Sequence, residues 1–467
     1  MPRPTSIDPA QIRLHLQAGG PAGAQALAAA TGVDRRTVLR ALATLGDGIE
    51  QLGKTRNTRY AARRAIQRQS GPLAISRIGA NGVAYQWAAL TPLHGGWRLE
   101  WASPSLHPDW ADQVHDHAGF CEGLPFFVAD LRPQGFLGRA IARQLPTAFG
   151  LPSDPRNWSD DDTLVYLREW GYDLPGNLVL GSSATSRAIN ASRTNLLAVG
   201  DRESRYPGLA EQANAGESVG SSVEGEQPKF TAWLHNQAAA NARGVLVKFT
   251  DRLDTPTGRR WADLLAAEAI ALKLLTWSSR GDAESAAPQI LDCGARRFYE
   301  LERFDRVGTH GRRGVVSLRA LHDAGFTGPD TNDWSLAAAG LHAAGWISDF
   351  DLRAVRLRAL FGRLIGNTDM HFGNLSFFLD LGLPLALAPT YDMLPMHWAP
   401  RTGDATPAPE FAPLAPMPQE LDLWPEVAPL AEQFWARVEG DARVSDGFRP
   451  HAAAALRALR ALRTRFG

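Results

Sequence analysis

Cysteine is almost absent from this chain: two residues, Cys121 and Cys293, in a length of 467. Two thiols so far apart give no disulfide framework and no thiolate metal cluster, a usage that fits a reducing cytoplasm. Long apolar runs are missing as well. No stretch reaches the roughly 18 residues that a membrane-spanning helix needs, so no membrane association is expected. The opening residues, MPRPTSIDPA, lack an apolar core, and no secretory signal is expected from them. No internal repeat is visible. What is present is a globular composition, with 44% hydrophobic residues, enough for sizeable cores. At roughly 100–200 residues per domain, the length accommodates several domains.

Net charge vanishes overall, with 49 Lys and Arg against 49 Asp and Glu, but not locally. Residues 1–70 hold 11 Lys and Arg against 4 Asp and Glu, so the rest is acidic by the same margin. A basic module joined to an enzyme body produces this asymmetry, although an Arg-rich solvated face does too.

The pattern within the basic segment separates the two. Residues 9–17 carry Ile12, Leu14 and Leu16 before a Gly-Gly stop, which reads as a short helix. Residues 22–32 are strong helix formers closed by Gly32. Asp34 is a good N-cap for DRRTVLRALATL, which sets Val38, Leu39, Leu42 and Leu45 on one face. Helix, short Gly-containing turn, helix is the helix-turn-helix pattern. The N-terminal residues of its second helix meet base edges in the major groove. Here those are Arg35, Arg36 and Thr37, with Arg40 one turn on. Residues 49–64 read as two short strands around a turn at 54–57, a basic wing whose Lys54, Arg56 and Arg59 suit phosphates. The partner expected of such a winged helix is double-stranded DNA; a module used only for protein contact or dimerisation is the other reading.

The body divides in two. Residues 69–150 alternate apolar runs with Gly and Pro turns and read as β-rich, with a helix starting near Gly135. Residues 153–163 are polar and acidic and read as an exposed loop; residues 201–229 are rich in Gly, Ser and Glu and read as a long mobile one. Residues 261–278 form a strong amphipathic helix, and helices are expected at 334–344, 349–366, 424–439 and 450–465. The fold class is α+β. The expected domains are a winged helix-turn-helix at 1–68, a β-rich lobe at 69–303 and a helical lobe at 304–467.

Four pieces of the body, in order, fit phosphoryl transfer. The apolar strand GVLVKFT delivers Lys248 inward, where an ammonium needs an anionic partner; the next helix offers Glu268 between alanines. FYELERFDR ends an apolar strand in charges, where a hinge between lobes would place the backbone of Glu302, Arg303 and Phe304 against adenine and Asp305 near ribose. IGNTDMHFGN spaces Asp369 and Asn374 as the kinase loop does: the Asp takes the substrate hydroxyl proton and the Asn holds Mg²⁺, with His371 between them to order the loop or touch phosphate. LALAPTYDMLPM runs an apolar strand into Tyr391 and Asp392, the second magnesium ligand.

These stretches, with SSVEGEQPKF at 221–230, resemble the HipA family of toxin kinases, in the subgroup with a fused DNA-binding domain. The resemblance implies a two-lobed, protein-kinase-like body, with Asp369 as catalytic base, Asn374 and Asp392 on Mg²⁺, and Lys248 on the phosphates of ATP. Glu224, Gly225, Glu226, Gln227 and Lys229 would form the phosphate-binding loop, and Ser222 would be the autophosphorylation site. Two carboxylates, Glu224 and Glu226, stand where the family carries small residues. The resemblance further implies a protein substrate, an aminoacyl-tRNA synthetase among the candidates, and leaves open an antitoxin partner and a homodimer. Two other functions stay open: a DNA-binding regulator whose kinase body senses nucleotide or is inactive, and a Mg²⁺-dependent DNA-cleaving toxin.

Overall fold

The computed structural model describes residues 6–54, 57–67, 69, 71–133, 149–194, 196–215, 227–236, 242–276, 287–400 and 410–466. The N-terminal segment folds as α1 (Pro9–Gly19), β1 (Ala22–Gly23), α2 (Ala24–Thr31), α3 (Arg35–Leu45), β2 (Ile49–Leu52) and β3 (Arg59–Ala62). Helix α2 stops because Gly32 takes the left-handed conformation, φ 73°, that a side chain disfavours. Helix α3 then starts because the Asp34 carboxylate accepts the Thr37 N–H at 2.8 Å. Ile12, Leu16, Leu27, Val38 and Leu42 close a small core over a sheet ordered β1-β3-β2.

The middle region is an antiparallel sheet of β4 (Leu73–Ile78), β5 (Ala84–Leu93), β6 (Gly96–Trp101), β7 (Phe120–Cys121) and β8 (Leu178–Leu180), in the order β7-β6-β5-β4-β8. Three expectations are corrected around it. LPFFVADL is a short helix, α4 (Phe126–Ala129), which follows Pro125 and buries Phe126, Phe127 and Val128. The acidic stretch at 153–163 is not an exposed loop: Pro155–Asn157 make a 3-10 turn, Pro155 and Trp158 are buried, and a helix starts at Asp160. Ser159 and Asp162 form a reciprocal capping box, and three aspartates sit at the electropositive end of α5 (Asp160–Trp170). The helix expected near Gly135 lies outside the described residues.

After α6 (Ser182–Thr194) and β9 (Leu196–Ala198) comes the third correction. Residues 202–214 form α7 (Arg202–Asn214), whose Tyr206, Ala210 and Ala213 are buried at helical spacing. Next are β10 (Lys229–His235), β11 (Arg243–Phe249), α8 (Pro256–Leu275), β12 (Gln289–Cys293) and β13 (Arg296–Glu302). Their sheet is ordered β12-β13-β11-β10-β9, with β9 parallel to β10 and the other pairs antiparallel. Strand alternation divides β11 between two layers. Val245, Val247 and Phe249 pack under α7 with Phe230 and Phe298. Lys248 therefore faces the opposite layer, where α8 lies, and Lys229 is its cross-strand partner.

The remainder holds the hairpin strands β14 (Arg306–Val307) and β15 (Gly311–Arg312), then β16 (Val315–Ser317) paired with β17 (Ser376–Phe378). Its helices are α9 (Leu318–Asp323), α10 (Trp334–Ala343), α11 (Asp349–Leu364), α12 (Trp424–Gly440) and α13 (Arg449–Phe466). The largest core is shared between the middle sheet and these helices. Trp110 stacks on Trp346 with ring centroids 6.4 Å apart, and Phe126 meets Phe326 edge-on at 5.5 Å. Among the described residues no helix is long and apolar enough to cross a membrane.

Candidate active site

Lys248 is 3% exposed and Glu268 0%. The Lys248 ammonium donates to both carboxylate oxygens of Glu268 at 2.7 Å and also to Asp392 Oδ1. Burial alone would discharge this lysine, but Asp392 and Glu268 outweigh it and push Lys248 up to about 12. Burial holds Glu268 above the usual carboxylate range despite Lys248. Burial opposes ionisation of Asp392 too, yet Lys248 and then Lys229 pull it below its ordinary value. Asp392 has φ 52°, a left-handed conformation that Asp tolerates better than most residues. Its N–H donates to Glu268 Oε1 at 3.2 Å, so the helix that holds the lysine also holds this turn.

The loop after α11 is tied to itself. Asp369 N–H donates to Asn367 Oδ1 at 3.1 Å, and the Asn374 amide nitrogen donates to the Asp369 carbonyl at 2.8 Å. Asn374 thus spends its nitrogen on the protein, and its amide oxygen is a group that could hold a cation. His371 Nδ1 accepts the Gly373 N–H at 3.1 Å, and its carbonyl accepts from Trp334 Nε1 at 3.2 Å. The Tyr391 hydroxyl donates to the Gly373 carbonyl at 2.8 Å and shares a bond with Ser376 at 2.6 Å. Its ring stacks on Phe304, centroids 5.9 Å apart.

These pieces meet in one cleft of about 1110 Å³, part of it open to solvent. Lys229, Lys248, Asn374 and Asp392 line it together with Glu302 to Asp305. Asp369 is exposed and is not among the lining residues. Gln227 is half-buried two positions before Lys229. Ser222, Glu224, Gly225 and Glu226 lie outside the described residues, as does Arg56. A neutral amide oxygen beside a carboxylate suits magnesium, which prefers hard oxygens and takes few from protein. Among the described residues no group of three or more His, Cys, Asp or Glu could hold a metal alone, so phosphate oxygens would have to complete such a shell.

Two hinge assignments need correction. The Arg303 N–H is already bonded to the Gly244 carbonyl at 2.9 Å, and its guanidinium reaches Asp173 at 3.1 Å and Asp305 at 2.9 Å. The Asp305 carboxylate is taken by Arg303, by Arg306 at 2.6 Å and by the Gly176 N–H at 2.8 Å. Burial would raise this carboxyl, but the two guanidiniums hold it well below the usual range, so Asp305 serves the fold and not a ribose. Glu302 pairs with Arg243 at 3.3 Å. Sequence reasoning missed the wall that the middle region supplies, namely Asp130, Leu131, Arg132, Leu174 and Pro175. No local pattern marks them, because they reach the cleft only through tertiary packing.

In the N-terminal segment, Arg35, Arg36 and Arg40 are exposed on α3, and Lys54 is exposed. Thr37 is 4% exposed; its hydroxyl donates to the capping Asp34 at 2.9 Å and accepts from Arg40 at 3.2 Å, so it is spent on the helix start and is corrected as a base contact. Arg59 is paired with Asp116 and lies 5.1 Å over the Phe120 ring.

Comparison with known proteins adds independent findings. Residues 69–189 match the family model described as YjjJ-like toxin, middle domain, and residues 221–433 match HipA-like C-terminal domain. Toxin YjjJ of Escherichia coli (strain K12) is 35% identical over 430 residues, which cover 92% of this chain and 93% of that protein. A chain in the solved complex of Shewanella oneidensis MR-1 HipA, HipB and operator DNA aligns with 84% of this chain and 97% of its own length, at 16% identity and a TM-score of 0.47.

Proposed function

Since this chain belongs to the HipA-like toxins of the YjjJ type, we propose that it is an ATP- and Mg²⁺-dependent Ser/Thr protein kinase, a toxin of toxin–antitoxin type. It acts in the cytoplasm on a protein substrate. The observation that carries this reading is the convergence of Lys229, Lys248, Asn374 and Asp392 on one cleft beside the backbone of Glu302 to Phe304. A kinase-like division follows, with the sheet of β9–β13 and α8 as one lobe and α9–α13 as the other.

In this reading the two lysines hold phosphate oxygens, and Phe304 and Tyr391 offer aromatic faces to a base. Magnesium, when bound, neutralises charge that develops between the phosphates. The Asn374 oxygen and the Asp392 carboxylate are the groups that would hold it. Asp369 accepts the proton of the substrate hydroxyl, and its exposure leaves it reachable by a protein substrate. His371 fixes the turn between base and amide. Ser222 is the autophosphorylation site, and a phosphate there would add about −1.5 to −2 charges to the segment that leads in sequence to Lys229. The N-terminal segment is a winged helix that binds double-stranded DNA through α3.

The test is purified protein with labelled ATP and Mg²⁺, beside Asp369→Ala. Label on the wild type alone, mapped to Ser222, is the expected result. Plasmid nicking with no label transfer, or equal labelling of both proteins, would overturn the reading.

A further inference from the structure

The second strand of the basic hairpin has a neighbour that sequence could not supply. Strand β3 runs directly into β5 of the middle sheet. Arg63 bridges Leu93 in antiparallel fashion, Arg64 N–H donates to the Pro92 carbonyl at 3.1 Å, and His94 N–H donates to the Ala62 carbonyl at 2.9 Å. Beside this seam the two backbones approach so closely that a Cβ on Gly95 would lie 3.0 Å from the Gly20 Cα.

Arg59, Arg63 and Arg64 are spent on the same seam. Arg64 donates to both oxygens of Asp161 at 2.7 and 2.5 Å and to the Leu93 carbonyl at 2.9 Å, while its guanidinium lies 4.4 Å above the Trp97 ring. Arg63 holds Glu50 at 2.6 Å, and Arg98 of β6 grips the same carboxylate, which is 6% exposed. Arg59 is held by Asp116 and Phe120. Beneath them Leu52, Ala61, Leu93 and Phe120 form an apolar cluster with members from both sides. A backbone bridge, buried charge and apolar contact together make an interface, not a chance encounter of surface groups.

We propose that β3 is an intramolecular docking strand: it fixes the N-terminal helices and the middle sheet as one rigid body. A duplex is then held by the arginines of α3, while Arg59, Arg63 and Arg64 are unavailable to it. The second half rests on the DNA-binding reading above; the first half does not.

Two measurements on the full chain decide it. Hydrogen exchange at the Arg64 and His94 amides should be as slow as within β4 and β5. Arg64→Ala should lose that protection while β10 and β11 keep theirs. Fast exchange at both amides in the wild type would overturn the docking. Salt-dependent binding of a labelled duplex is the second readout. Arg36→Ala should lower the slope of log affinity against log salt by about 1, and Arg59→Ala should leave it unchanged. Equal lowering by Arg59→Ala would place β3 on phosphate and sink the proposal. If the wild type binds no duplex at low salt, the DNA-binding reading fails, and the exchange result alone decides the docking.

Discussion

Lys248 and Glu268 face each other across the layer between β11 and α8, the ammonium 2.7 Å from both carboxylate oxygens, with neither side chain more than 3% exposed. Removing Glu268 takes one of two carboxylates from a nearly fully buried ammonium and leaves Lys248 with Asp392 alone. Glu268→Ala is expected to cost more than about 1 kcal/mol but less than the roughly 3–5 kcal/mol of a fully stranded charge, read by urea unfolding. A loss below about 1 kcal/mol, the value of an exposed pair, would mean that solvent screens this one.

Asp392→Asn separates folding from chemistry. Asn accepts the left-handed backbone at this position as readily as Asp does, and Lys248 keeps Glu268. The thermal midpoint should stay close to wild type while label transfer from ATP is lost, because an anionic magnesium ligand has gone. Retained transfer would remove Asp392 from the metal site.

Acid should attack the hinge. The Asp305 carboxyl sits below its unfolded value of about 3.9, so its contribution is complete above that pH and fades as pH falls toward the folded value. Urea midpoints measured from pH 6 down to pH 2 should fall for the wild type once pH drops below about 4. Asp305→Asn, which has no such carboxylate, should show a shallower fall over that window. Parallel curves would show that Asp305 contributes nothing to acid sensitivity.

Both thiols should be sluggish. Burial pushes Cys121 up to about 12 and Cys293 up to about 11, and only the thiolate is nucleophilic. Titration with a chromogenic disulfide at pH 8 should give slow reaction in the native protein and two equivalents after denaturation. Rapid native labelling of Cys121 would contradict its burial.

How much of this was legible beforehand depends on whether the signal was local. Strand alternation in GVLVKFT put Lys248 on the face opposite Val245 and Val247, and alanines around Glu268 marked a close-packed helix face. The expected helices at 334–344, 349–366, 424–439 and 450–465 agree with α10 to α13 within a few residues, because their apolar periodicity is strong. Errors arose where one composition serves two purposes. Three consecutive aspartates read as a solvated loop, yet at the start of α5 they complement a helix end. The segment whose Ala210 and Ala213 pack α7 onto the sheet read as a mobile loop, because it is poor in large apolar residues. Arg59 read as a phosphate ligand because its partner, Asp116, is 57 positions away. The cleft wall from Leu174 and Pro175 has the same cause: packing chose it, and no neighbour in sequence announces it.

The segment at 69–189 that matches a family model of its own shares its core with the helices beyond residue 320. Trp110 and Phe126 find aromatic partners, Trp346 and Phe326, beyond residue 320, so cutting at the family boundary would expose aromatic rings on both pieces. Evolutionary modularity and thermodynamic independence part ways here. Either fragment made by itself is expected to aggregate, while the two co-expressed should recombine through those rings.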